Sequence, residues 1–353
     1  MIPSPASATR TAFRRRLIAW QQSHGRHDLP WQNTRDPYRI WVSEIMLQQT
    51  QVRTVIPRYA AFMQRFPTVA ALAAASPDAV LALWAGLGYY ARARNLHRAA
   101  REVMAAFDGR VPTAAATLQR LPGIGRSTAA AISVFAAGER AAILDGNVKR
   151  VLCRVFMIAP GGDAAADARG LWDLAERLVP HDHVEAYTQG LMDLGSGVCV
   201  PRTPDCAACP LAALCGAHRA GRVAEFPVRP AKRPRPLKRS QLVIARHGDR
   251  VLLERRAPKG IWGGLWSLPE VVDGADVAEA MKNRLGIVCT VKGTAAPLRH
   301  EFTHFSLDIL PVRVSVRQAR PPVLPGEWTW ASRKERQVLG LPTPVRALLD
   351  AYA

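Results

Sequence analysis

Two carboxylates, a glycine-bracketed turn and four clustered cysteines are the residues of this sequence most able to do chemistry. Glu44 lies in Ile40-Trp-Val-Ser-Glu-Ile-Met-Leu-Gln-Gln-Thr50, where its helical neighbours at three and four residues are Ile40, Trp41, Leu47 and Gln48. A carboxyl on so apolar a face is penalised when ionised. Its pKa should therefore rise, and a protonated Glu at neutral pH can donate to a leaving group. The competing reading is a Glu that snorkels to solvent or pairs with an arginine. Asp145, in Ile143-Leu-Asp-Gly-Asn-Val-Lys-Arg150, precedes Val148, Val151, Leu152, Val155 and Phe156 at helical spacing, which puts it at a helix start. Capping alone would explain an Asp there, and the helix dipole also keeps it ionised. An ionised carboxylate is what an oxocarbenium-like sugar cation needs nearby.

Cys199, Cys206, Cys209 and Cys215 have the spacing C-x6-C-x2-C-x5-C within one short segment. Four thiolates so placed suit either zinc or an iron-sulfur cluster. Cys153, in a helical run, and Cys289, in a strand-like run, lie apart from these and read as core fillers. In Leu121-Pro-Gly-Ile-Gly-Arg-Ser-Thr128, Gly123 and Gly125 allow a tight turn that exposes amides at the start of the next helix. Such a turn can be plain punctuation between helices. With Arg126 beside it and an excess of basic charge, it reads as a helix-hairpin-helix that binds DNA phosphate.

The elements that must position these residues follow from length and pattern. A chain of 353 residues favours more than one domain, and 48% hydrophobic content allows real cores. Lys and Arg number 48 against 28 Asp and Glu, a net charge of +20 that points to a polyanionic partner, unless an arginine-rich genome biases every surface. The start of the sequence has no apolar core of signal-peptide length and no stretch approaches a membrane span. A cytoplasmic protein with no membrane partner is expected. In that compartment clustered cysteines suggest metal rather than disulfides.

From Phe13 to about Ala217, Ala-rich amphipathic stretches broken by Pro and Gly predict an all-α domain over residues 1–226. Residues 227–240, PVRPAKRPRPLKRS, carry six basic residues and no acid, and read as an extended basic linker. Beyond it, over 241–353, the period changes. Gln241–Ala245 and Val251–Glu254 predict a hairpin, Gly286–Lys292 and Phe305–Val316 predict strands, and Ala275–Arg284 predicts a helix, so this domain is mixed α and β.

Glu44 with Leu47-Gln-Gln-Thr-Gln51, Gly86-Leu-Gly-Tyr-Tyr-Ala-Arg-Ala-Arg-Asn95, the hairpin over 121–128, Asp145 and the cysteine loop over 199–215 together resemble the endonuclease III superfamily of DNA glycosylases. More narrowly, they resemble its MutY-type adenine glycosylases, whose C-terminal module is Nudix-like. The resemblance implies an all-α helix-hairpin-helix glycosylase domain with an iron-sulfur loop, followed by an α+β Nudix-like domain. It makes a 4Fe-4S cluster the expected occupant of the cysteine quartet, shaping a DNA-binding loop without performing the chemistry.

It further implies a monomeric base-excision repair enzyme, nucleoid-associated through double-stranded DNA that carries adenine opposite 8-oxoguanine or guanine. Glu44 would protonate the adenine, and Asp145 would stabilise the sugar cation or capture it transiently. Bifunctional relatives place a Schiff-base lysine where this chain has Ser127, so the resemblance implies a monofunctional hydrolase that leaves an abasic site. Gln49 and Tyr89 match the wedge that fills the gap when a base is flipped, and Trp31, Leu47 and Gln189 match the adenine pocket. Tyr89 and Trp31 could also be simple core aromatics.

In the C-terminal domain Gly264-Leu-Trp-Ser-Leu-Pro-Glu270 echoes the start of a Nudix box, but Glu279-Ala-Met-Lys-Asn-Arg-Leu-Gly286 lacks the paired glutamates that would hold Mg²⁺. Nucleotide hydrolysis is therefore not expected. The resemblance assigns Phe302, Thr303 and His304 to a loop probing 8-oxoguanine. Thr303 stands where Ser is usual, keeping a hydroxyl and adding a methyl. Two other readings remain: a catalytically silent DNA-binding protein, which the intact Glu44 and Asp145 disfavour, and a lyase for oxidised pyrimidines, which Ser127 and the second domain disfavour.

Overall fold

Amphipathic stretches punctuated by Pro and Gly become a succession of helices in the computed structural model, which describes residues 5–228, 234–316 and 327–353. The chain divides into two units, Met1–Ala70 with Arg98–Ala231 and Ala71–His97 with Lys232–Ala353. Among the described residues no helix is long and apolar enough to cross a membrane.

The first unit is helical. Its core joins Phe13 and Leu17 of helix Ser7–His24, Ala130 and Val134 of Arg126–Ala137, Val151 and Leu152 of Gly146–Val155, Leu174 of Ala164–Leu178, and Tyr187 and Leu191 of Val184–Asp193. Cys153 is buried in this core, as a filler. Helix Pro37–Leu47 starts on Asp36, whose side chain accepts from the Tyr38 amide, with Pro37 in the first turn where no amide is needed. It buries Ile40, Trp41, Val42, Ile45 and Met46 around most of its circumference, so its one acid is carried inward with them.

Two buried arginines tie helix Gly146–Val155 to the segment that leads into the cysteine loop. Arg150 donates from Nε to the Cys199 carbonyl at 2.7 Å and from Nη2 to the Gly195 carbonyl at 2.6 Å. Arg154, 2% exposed, donates to the carbonyls of Phe226 (2.9 Å), Val200 (2.8 Å) and Pro201 (3.1 Å), and to the Cys199 sulfur at 3.3 Å. Between them lies a π-helical turn, Leu194–Val198. A Cβ on Gly195 would stand 2.8 Å from the Asn147 Cβ, so only glycine permits this approach.

Among the described residues the second unit contains an eight-stranded mixed sheet: β1 (Leu237–His247), β2 (Arg250–Arg255), β3 (Trp266–Ser267), β4 (Glu270–Val272), β5 (Cys289–Thr294), β6 (Leu298–Glu301), β7 (Ser306–Val316) and β8 (Trp328–Ala331). The main order is β3-β2-β1-β7-β5, with β4 on β1, β6 on β7 and β8 on β2. β1 and β7 run parallel from Leu237↔Ser306 to Arg246↔Ser315, and the other pairs are antiparallel. Helix Val277–Leu285 covers one face, packing Val277, Met281 and Leu285 against Val243, Leu252, Val312 and Val314, with Cys289 half-buried beside them. The α and β elements expected from the pattern are all present.

The linker reading over 227–240 needs correction at its C-terminal end, because β1 begins at Leu237. Lys238 and Arg239 are exposed, so no apolar alternation marks this stretch; the β7 backbone recruits it into the sheet instead. Residues 229–233 of that segment lie outside the described residues.

Replacing Arg154 strips partners from one buried and several partly buried carbonyls at once. Arg154→Met should destabilise the protein by about 3 kcal/mol. Thermal denaturation should show a clearly lowered Tm, with Arg154→Lys recovering only part of it because an ammonium cannot span the same acceptors.

Candidate active site

Helix Pro37–Leu47 and the start of helix Gly146–Val155 deliver Glu44 and Asp145 to one cleft of the helical unit. This cleft has a volume of about 1150 Å³. Trp31, Leu47, Gln49, Ser127 and Gln189 line the same cleft, so seven residues singled out from the sequence converge there. The volume exceeds the roughly 300–1000 Å³ typical of a small-ligand pocket.

Glu44 keeps an edge open to the cleft, but the apolar packing around it pushes its carboxyl from the ordinary 4.5 up to about 8, and the nearby charge of Asp145 adds to the rise. No cation contributes to the shift, which disposes of the arginine-paired reading. Glu44 is thus an acid that holds its proton at neutral pH.

Asp145 is exposed and caps its helix, accepting from the Val148 amide at 2.7 Å through Oδ1. Capping and cleft placement are therefore not alternatives: one oxygen caps, and Oδ2 lies 3.4 Å from the Asn147 amide nitrogen. Asn147 in turn accepts from Arg150 at 2.9 Å. Ser127 accepts from the Leu144 amide at 3.0 Å, pinning the strand of chain that enters Asp145. The hydroxyl at that position is thus a structural brace with no amine chemistry available to it.

Gln189 is fixed by a pair that sequence reasoning missed. Its amide donates to Asp193 Oδ1 at 2.8 Å, and the buried Asp193 also receives the Arg26 backbone amide at 2.9 Å and Arg26 Nε at 2.7 Å. Arg26 and Asp193 stand far apart in the chain with no motif spacing to join them, although the helical interval from Gln189 to Asp193 was readable. Trp31 is 8% exposed and meets Tyr59 edge-on at 5.4 Å, so it is at once a core aromatic and a wall of the cleft. Gln49 sits at the cleft rim with φ 56°, a left-handed conformation that costs a non-glycine residue about 1 kcal/mol or more.

The hairpin forms as expected: Gly123 takes φ 82°, and Gly125 starts helix Arg126–Ala137 with no side chain capping it. The free first-turn amides suit an anion. Arg126 behaves differently from the simple phosphate reading. Its guanidinium lies 3.9 Å over the Trp172 ring and pairs with Glu176, so the side chain is engaged within the protein and the hairpin's exposed donors are backbone amides.

In the second unit, Phe302, Thr303 and His304 make the turn between β6 and β7, closed by the Phe302 amide on the Phe305 carbonyl at 2.9 Å. Thr303 and His304 are exposed, whereas Phe302 stacks on Phe305 at 4.5 Å and packs against His300 and Trp262. Tyr89, 46% exposed with φ 47°, brings its hydroxyl to the Thr303 hydroxyl at 2.5 Å. The half-buried Glu254 and Glu270 are met by Arg284 and Arg256, in a domain whose box helix lacks metal-binding glutamates.

Cys199, Cys206, Cys209 and Cys215 all line one small cavity beside Arg154. Burial, with a smaller contribution from the other three sulfurs and against a backbone hydrogen bond at Leu211, pushes the Cys209 thiol up to about 11. Four partly or fully buried sulfurs around one cavity, which would repel one another as thiolates, are a donor set that a positively charged metal centre would satisfy. Among the described residues no group of three or more His, Cys, Asp or Glu is gathered as a single ion requires.

The two domains match known families. The pattern of the HhH-GPD superfamily of base excision DNA repair proteins matches residues 42–176, and that of the NUDIX domain matches residues 241–351. A thermostable thymine-DNA glycosylase of known structure is 31% identical, with a TM-score of 0.54 over 60% of this chain and 98% of that one. The DNA-bound endonuclease III structure, at 21% identity and a TM-score of 0.51 over 60% of this chain and 97% of its own, shares the fold. Fold and site thus define a helix-hairpin-helix glycosylase of base-excision repair joined to a Nudix-like domain.

The adenine DNA glycosylase of Buchnera aphidicola subsp. Schizaphis graminum is 33% identical over 96% of this chain and 98% of its own length. The human adenine DNA glycosylase is 32% identical over 97% of this chain and 74% of its own. The chain belongs to the adenine DNA glycosylase family.

Because Glu44 binds its proton more tightly in the folded state than the ordinary value of 4.5, its contribution to stability is lost as pH rises from about 4.5 to about 8. Glu44→Gln should therefore raise Tm, and by more at pH 9 than at pH 5. In the parent enzyme adenine release should be flat below about pH 8 and fall with loss of one proton above it. The variant should lose roughly 100- to 10,000-fold in rate.

Proposed function

We propose that the enzyme hydrolyses the N-glycosidic bond of adenine paired with 8-oxoguanine or guanine and leaves an abasic site. The observation that carries this reading is a carboxyl raised to about 8 facing the same cleft as a second, exposed carboxylate. Glu44 donates its proton to the adenine ring, and the bonding electrons leave with the base as the bond to the sugar breaks. The charge of Asp145 then meets the oxocarbenium-like cation, as an ion pair or as a transient ester, and water adds at the sugar carbon while the ionised Glu44 takes its proton. No lysine stands at position 127 to open the sugar, so strand cleavage is not part of the reaction.

The adenine must leave the stack to reach this cleft. Gln49 and Tyr89 are assigned to the wedge that fills its place, and their exposure and left-handed backbones support a role outside the core. Trp31, Leu47 and Gln189 are assigned to the flipped base, Gly123, Gly125, Arg126 and Ser127 to the DNA-binding hairpin, and the Phe302-Thr303-His304 turn to the opposite 8-oxoguanine. Residues 1–226, apart from the 71–97 segment that groups with the C-terminal strands, are assigned to catalysis and the domain from β1 onward to lesion recognition, in a monomer that works in the cytoplasm on the nucleoid. Duplexes carrying A opposite 8-oxoguanine, A opposite G, or thymine glycol test this. Breaks only at A, and only after alkali, are expected. Breaks without alkali or at thymine glycol would overturn it.

The quartet is assigned to a 4Fe-4S cluster, as in the endonuclease III superfamily that the chain resembles. The common cavity of the four sulfurs supports it, and when bound the cluster supplies a rigid, charged staple for the 199–215 loop. The protein purified without air should be brown and contain about four irons per chain. A colourless protein containing zinc would overturn this assignment and leave the glycosylase reading standing.

A further inference from the structure

The loop that carries Tyr89 is built into the same unit as the C-terminal strands. Besides the Tyr89–Thr303 contact, local bonds shape it: Trp84 Nε1 donates to the Gly88 carbonyl at 3.3 Å, and Arg92 donates to the carbonyls of Leu87 (2.8 Å) and Gly88 (3.1 Å). Three further contacts hold the flanks of this loop to residues more than 150 positions later. Ahead of it, Asp78 in the first turn of helix Pro77–Leu83 pairs with Arg255 at the end of β2 at 2.5 Å. Arg255 lies 4.6 Å from the Trp266 ring, and Asp78 Oδ1 is buried without a partner among the described residues, so the carboxylate depends on this guanidinium. Behind the loop, Arg94 donates to the Gly263 carbonyl. Under the same helix, a Cβ on Gly340 would stand 2.8 Å from Leu81 Cβ and 3.0 Å from Leu265 Cδ2, so the approach leaves no room for a larger residue.

We infer that Asp78, Arg255 and Arg94 are positioning residues for strand invasion: they hold the Tyr89 loop against the C-terminal strands, so that the unit presenting Thr303 also sets the wedge. The inference rests on the reading of Tyr89 as that wedge. A residue held at φ 47° is kept there only by surroundings that over-determine it, and this clamp supplies them from both sides of the loop. Without the clamp the tyrosine still exists but is no longer aimed, and a misplacement of about 1 Å can cost up to 100-fold in a positioned step.

The test uses the full-length protein and 2-aminopurine in the adenine position opposite 8-oxoguanine, whose fluorescence reports unstacking. Arg255→Met keeps packing on Trp266 while removing the ion pair, Asp78→Asn removes the partner charge, and Arg94→Gln provides an independent variant should either fail to fold. Each folded variant should slow unstacking about tenfold. The Asp78→Asn/Arg255→Met double variant should be no slower than either single one, because both break one pair. Adenine placed opposite a site lacking a base, and so already loosely stacked, should be released at nearly the parental rate, which a general loss of structure would not allow. Unstacking that depends on Tyr89 but proceeds at the parental rate in all three folded variants would overturn the inference alone. Unstacking that Tyr89→Ala leaves unchanged would overturn the wedge reading, and this inference with it.

Discussion

Apolar packing around Glu44, with Asp145 facing the same cleft, makes ionising the Glu44 carboxyl costly, and much of the helical unit is arranged to keep these two side chains in place. Two acids in water would both be ionised at neutral pH and neither would serve as a donor. Packing on helix Pro37–Leu47 raises Glu44, whereas Asp145 stands exposed at a helix N-terminus. The separation of roles therefore comes from surroundings rather than residue type. It fails if either element moves, which explains how much of the nearby hydrogen bonding serves position alone. Ser127 holds the chain entering Asp145, and the cap holds its first turn. Asn147 and Arg150 continue the connection to Gly195 and Cys199.

That connection gives the cysteine loop a mechanical meaning. Arg150 and Arg154 project from the helix that Asp145 begins, and both end on carbonyls around the first cysteine. The carbonyl oxygens they meet present the negative ends of peptide dipoles to the two guanidinium groups. A loop stapled by metal would fix those carbonyls, and through them the helix that Asp145 caps. The loop can matter to catalysis with no electron passing through it.

The sequence exposed those parts of the site whose physics is local. Glu44 could be read because three- and four-residue spacing puts it among apolar side chains, and Asp145 because a cap followed by a periodic run is a helix start. Parts set by distant pairing were hidden. Asp193 and Arg26 fix Gln189 across most of the helical unit. Arg126, an obvious phosphate ligand by position, finds Trp172 and Glu176 from another helix. The start of β1 was misread for the same reason, since Leu237-Lys-Arg has no strand pattern and is ordered by the edge of β7. The grouping of residues 71–97 with the C-terminal strands has no signature in composition at all.

The arginine excess also changes meaning once the contacts are known. A net charge of +20 suggests a surface painted for DNA, yet Arg150, Arg154, Arg255, Arg256 and Arg284 spend their guanidinium groups on carbonyls or carboxylates within the protein. In the Nudix-like unit this goes furthest. Glu254 and Glu270, acids of the kind that elsewhere hold Mg²⁺, are each neutralised by an arginine, and Ser240 adds a hydrogen bond to Glu270 at 2.6 Å. A guanidinium can satisfy a carboxylate but cannot polarise a pyrophosphate as a divalent cation does. Arginine pairing therefore satisfies these acids within the fold, beside a β6–β7 turn built on stacked Phe302 and Phe305.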